Sequence, residues 1–66
     1  MQIQVNGDII DVEDNMTLGA LLTQMDLGER RVAIELNLEI IPRSQHAEMQ
    51  LSENDRVEIV HAIGGG

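Results

Sequence analysis

Apolar and polar residues alternate over residues 2–12, with Asn6-Gly7 at the middle of the run. Both central positions of a type I′ turn require positive φ, which Asn and Gly accept most readily. A two-residue loop there sets Val5 opposite Asp8 and Ile3 opposite Ile10. Met1, Ile3, Val5, Ile10 and Val12 then share one face with period two, and Ile9 lies on the other. The pattern predicts a hairpin.

The period next becomes helical. Leu18, Leu21, Leu22 and Met25 form one stripe, Thr17 is a good N-cap, and Met16 with Leu21 fits a hydrophobic staple. Gly28 suits a left-handed stop. Gly19 weakens the first turn by about 1 kcal/mol relative to Ala, and its lack of a side chain suits close packing against a sheet. Val32, Ile34 and Leu36 alternate as a third strand. A turn at Asn37-Leu38 leads into a short strand, Glu39-Ile40-Ile41, which Pro42 stops because it cannot donate to a ladder. Residues 43–50 show no sustained period and read as a short turn plus loop, with Leu51 entering the core. Ser52-Glu53-Asn54-Asp55 is turn chemistry. Residues 56–63 close the fold as a strand, with Val57 and Ile59 on one face and Val60 and Ala62 on the other.

A helix crossing between the second and third strands and laid on one face of a mixed sheet is an α+β, two-layer solution. The sheet has four to five strands, and the final strand is expected to be central. The chain divides into a domain over residues 1–63 and a glycine tail over 64–66.

Composition narrows the function. Sixty-six residues make one small domain. Such a chain buries only about 60% of the surface its unfolded form exposes, which leaves little room for an internal pocket. Twelve acidic residues against four arginines give a net charge of −8, so nucleic acid is excluded as a partner and basic protein faces are favoured. There is no Cys for disulfides or thiolate chemistry, no Lys for acylation, and no aromatic residue, so the core is aliphatic. No stretch is long and apolar enough to cross a membrane and no leader pattern opens the chain. The expected location is cytoplasmic, with no membrane partner.

Candidate chemistry gathers at the end, Ile63-Gly64-Gly65-Gly66. Gly64 and Gly65 can lie extended in a slot too narrow for side chains, and four residues reach roughly 13 Å. The tail can therefore present the Gly66 carboxylate to another protein's active site. His46 and His61 have neither cysteine partners nor helical spacing, and read as surface histidines rather than metal ligands. Asp11, Glu13 and Asp14 read as a solvated loop. No nucleophile–base pair, metal cluster or phosphate-binding loop suggests an enzyme.

The run Val32-Ala33-Ile34-Glu35-Leu36-Asn37, then Glu39-Ile40-Ile41-Pro42-Arg43, Leu51, Asn54-Asp55-Arg56-Val57-Glu58-Ile59-Val60 and terminal Gly65-Gly66 resembles the ThiS family, the sulfur carriers of thiamine (thiazole) biosynthesis. The resemblance spans essentially the whole chain and is densest in its second half. It implies a β-grasp, ubiquitin-like fold and a protein that is acted upon rather than an enzyme. By that resemblance, Gly66 is adenylated by a ThiF-like activating enzyme of the ubiquitin-activating type. That partner uses the ATP, and the chain itself holds no cofactor. Sulfur from a cysteine desulfurase or sulfurtransferase then converts the acyl adenylate to a thiocarboxylate, which serves a ThiG-like thiazole synthase. The family usually has glycine at the positions of Leu38 and Asn54, and a large aromatic near His46. Val60, Ala62 and Ile63, joined by Ile9 and Leu38, form the expected docking patch beside the tail. The alternatives are the small subunit of molybdopterin synthase, with the same terminal chemistry, and a non-covalent interaction module with an inert tail.

Overall fold

The computed structural model describes residues 1–28 and 30–61. Strands β1 (Gln2–Val5) and β2 (Asp8–Asp11) pair as an antiparallel hairpin, with Val5 opposite Asp8 and Ile3 opposite Ile10 as the turn requires. Asn6 and Gly7 have φ of 49° and 90°. Helix α1 (Leu18–Gln24) follows, then β3 (Val32–Leu36), β4 (Glu39–Ile41), a 3₁₀ turn (Arg43–Gln45) and β5 (Arg56–His61). The five strands form one mixed sheet in the order β2-β1-β5-β3-β4. β5 is central, parallel to β1 and antiparallel to β3.

One face of the sheet meets α1. Ile3, Val5, Ile34, Val57 and Ile59 bury against Leu18, Leu21 and Leu22, with Val12, Ile41 and Leu51 closing the core. Met25 is the exception to the predicted stripe: it is the C-cap, more than a third exposed.

The helix start is capped from two sources. Thr17 Oγ1 accepts from the Ala20 N–H at 3.1 Å. The Leu18 and Gly19 N–H groups, which have no partner inside a helix, donate to Met49 O (2.9 Å) and His46 O (2.8 Å) of the loop after the 3₁₀ turn. Gly19 makes that approach possible. A Cβ there would stand 3.0 Å from Ala47 Cα, so this glycine packs against the loop rather than the sheet. The helix stop also differs from the expectation. The left-handed residue is Asp26, at φ 62°, and Gly28 does not adopt positive φ. Asp tolerates this region because its short polar side chain bonds locally, and the chain turns two residues earlier than the glycine suggests.

The β3–β4 turn places both Asn37 (φ 51°) and Leu38 (φ 71°) in the left-handed region. For Leu this costs roughly 1–2 kcal/mol. Leu38 is 70% exposed and recovers little by burial. Replacing it with Gly relieves the strain but frees the unfolded chain by roughly 0.5–1 kcal/mol. Leu38→Gly is therefore expected to stabilise the fold by about 0.5 kcal/mol, read as a higher denaturation midpoint at unchanged m-value. A lower midpoint would show that Leu38 makes a stabilising contact.

Candidate functional site

The chain's candidate chemistry lies past β5, so what holds β5 sets how it is presented. On one side β3 pairs with it along its length, from Leu36 opposite Val57 to Val32 opposite His61. On the other side the β1 ladder is short, Gln4 with Arg56 and Val5 with Val57. An asparagine continues it where β1 turns away. The Asn6 N–H donates to Val57 O (2.9 Å), and the Ile59 N–H donates to the Asn6 side-chain Oδ1 (2.7 Å). The carboxamide stands where the next backbone carbonyl of a parallel ladder would be. At the other end Asn37 does the same: its N–H donates to Arg56 O (2.8 Å), its Oδ1 accepts from the Arg56 N–H (2.9 Å), and its Nδ2 donates to Asp55 Oδ1 (3.0 Å). Each asparagine opens a turn of positive φ and also bonds to the central strand.

The Asn-Gly and Asn-Leu signals predict the turns but not these long-range bonds, which need the folded β5 alongside. Asn6→Gly keeps the φ and removes only the carboxamide. It is expected to cost about 1 kcal/mol and to raise hydrogen exchange at the Ile59 amide. Unchanged exchange there would mean that the bond does not hold β5.

The predicted site residues fall in different places. Gly64, Gly65, Gly66, Ala62 and Ile63 lie outside the described residues. Val60 is 60% exposed on the sheet face opposite the helix, directly across from Ala33. Ile40, on the same face, sits opposite Glu35 and diagonal to Ala33. It is also exposed, so Val60, Ala33 and Ile40 make an apolar strip that the sequence reading found only in part. Ile9 is exposed on this face, on β2, with β1 between it and the strip. Leu38 adjoins the Arg56 end of β5, four residues from Val60, and so is not beside the tail. Glu35 and Glu58 face each other across β3 and β5. Like charges so placed repel and favour a basic contact.

His61 is exposed and pairs with Val32. His46 is not a surface histidine. It is 6% exposed, and its Nε2–H donates to Ile41 O at 3.0 Å. The close approach of its loop to Gly19 buries it, a contact with no local sequence signal. Among the described residues no group of acidic, His or Cys side chains can hold a metal ion, and no helix is long and apolar enough to cross a membrane.

Comparison with known proteins matches this geometry to a family. The solved structure of a thiamine biosynthesis protein (ThiS) from Geobacter metallireducens superposes with a TM-score of 0.86 over the full length of both chains, at 28% identity. The sulfur carrier protein ThiS of Bacillus subtilis is 38% identical over 65 residues, covering 97% of this chain and 98% of that one. A thiazole synthase of Paramagnetospirillum magneticum is 41% identical over all 66 residues. The chain spans only 20% of the length of that relative. The ThiS family model matches residues 2–66, and this β-grasp chain belongs to the ThiS family.

Proposed function

We propose that the chain is a sulfur carrier for thiazole formation in thiamine biosynthesis, acting through the Gly66 carboxylate. The observation that carries this reading is the near end-to-end match to the Bacillus subtilis sulfur carrier, in a chain that ends on three glycines. A carboxylate is a poor electrophile. An ATP-dependent activating enzyme overcomes this when the Gly66 oxygen attacks the α-phosphorus and pyrophosphate leaves. The terminal persulfide sulfur of a cysteine desulfurase or sulfurtransferase then attacks the acyl adenylate and expels AMP, and a thiol such as free cysteine cleaves the resulting acyl disulfide, forming a disulfide with the donor. The product is a terminal thiocarboxylate, a soft nucleophile formed without any cysteine of the carrier. The carrier supplies presentation: Gly64 and Gly65 thread the tail, and β5 anchors it.

The thiazole synthase relatives, in which a ThiS-like stretch makes up a fifth of the length, support thiazole synthase as the acceptor. Docking is assigned to the outer sheet face. Val60, Ala33 and Ile40 give the apolar contact. The Glu35–Glu58 pair on a chain of net charge −8 favours a partner with basic residues around an apolar centre.

The test is the intact mass of the chain after incubation with ATP, a matched activating enzyme, a desulfurase and cysteine. A gain equal to exchanging one oxygen for sulfur is expected, located by fragmentation at Gly66. An unchanged mass, with the same enzymes active on another carrier, would overturn the proposal.

A further inference from the structure

Few cations are available in this chain, and the fold places two of the four arginines on one cleft. The β3–β4 register pairs Ile34 with Ile41 and Leu36 with Glu39, so continuing it outward brings Arg43 beside Val32, two residues from Arg30. Gly19 allows the loop after Arg43 to close onto α1, and a cleft of about 200 Å³ remains between the end of the helix and the 3₁₀ turn. Arg30 and Arg43 border it, Leu22, Val32 and Ala47 give it an apolar side, and the buried His46 lines it as well. Because Nε2 of His46 is committed to Ile41 O, Nδ1 is the nitrogen left for the cleft. No carboxylate pairs with Arg30 or Arg43 among the described residues, in a protein with twelve acidic side chains.

We propose that this cleft binds a phosphate group, held between the guanidinium groups of Arg30 and Arg43. Two planar forks suit a tetrahedral oxyanion, which accepts paired hydrogen bonds along more than one edge. A carboxylate offers a single edge and satisfies one fork. The net charge of −8 and Asp26, on the groove adjoining Arg30, oppose any anion. Screening confines the general field to about 8 Å at physiological salt, so the contacts within the cleft decide. Affinity is accordingly modest, with half-saturation at about 1 mM. The apolar side of the cleft favours a phosphate borne on a small organic group. The site lies on the helix side of the sheet, away from the Val60 face, and does not depend on the carrier reading.

The experiment is an NMR titration of the isotopically labelled full chain with inorganic phosphate and with phenyl phosphate, against sodium chloride at equal ionic strength. Saturable shifts are expected at the Gly19, Gly28 and Ala47 amides with phosphate and not with chloride. Arg30→Gln and Arg43→Gln should each weaken binding at least tenfold. Arg56→Gln, outside the cleft, should leave it unchanged, and the undisturbed remainder of each spectrum verifies the fold. Tighter binding of phenyl phosphate assigns an organic phosphate, and equal binding assigns the free ion. Shifts that never saturate, or arginine variants that bind as the parent does, would overturn the proposal.

Discussion

A chain lengthened by one alanine after Gly66 is expected to acquire no sulfur at all, while unfolding at the same denaturant concentration as the parent. In the proposed chemistry the added residue converts the reactive carboxylate into an amide and moves the free acid about 3.5 Å along the tail. Acyl activation depends on reacting atoms held within a fraction of an ångström, and a 1 Å error already costs about a hundredfold in rate. The alanine methyl also enters a path that the glycines suggest is closed to side chains. None of this touches the core, whose last member, Ile59, lies seven positions before Gly66. Intact mass after the coupled reaction checks the first half of the expectation, and denaturant titration the second. If the extended chain gained sulfur as fast as the parent, the tail would be inert and the chain a non-covalent interaction module.

The largest expected effect on stability is at Ile34. Its side chain is fully buried between the sheet and Leu18 and Leu21. Cutting Ile to Ala in such a site costs roughly 2–5 kcal/mol, through lost transfer energy and the cavity left behind. A 66-residue domain commands only about 3–10 kcal/mol in total. Ile34→Ala should therefore remove about half of the stability, with a fall in Tm of at least about 10 °C in a thermal melt. Ile40→Ala, on the neighbouring strand but on the opposite face of the sheet, removes an exposed side chain and should change stability by less than about 0.5 kcal/mol. Equal losses from the two variants would contradict the burial of Ile34.

The inward face of Ile34 was legible in the sequence as alternation, as was the Asn6-Gly7 turn with its full register. Local chemistry decides both: period two fixes the face, and a two-residue loop fixes the pairing. The misjudged points depend on distant segments. His46 sits in a loop with no periodicity, and its burial follows from the closeness of Gly19 to Ala47. Gly28 attracted the helix stop because glycine is the commonest left-handed residue, yet Asp26 takes that conformation. Ile40 escaped the docking patch because its diagonal relation to Val60 through Ala33 exists only once β3, β4 and β5 are side by side.

The two asparagine bonds to β5 also have a mechanical meaning. Under the proposed carrier role, a partner holding the C-terminal residues loads β5 from its C-terminal end. The β1 and β3 ladders flank this strand, and side-chain bonds are added by Asn37 at its first residue and by Asn6 at Ile59 within it. Such bonds lie across the direction of pull, so they are loaded together in shear rather than opened in succession. The strand resists being drawn out of the sheet. Tension on a few terminal residues is transmitted to the whole domain, and the body follows its tail as one piece.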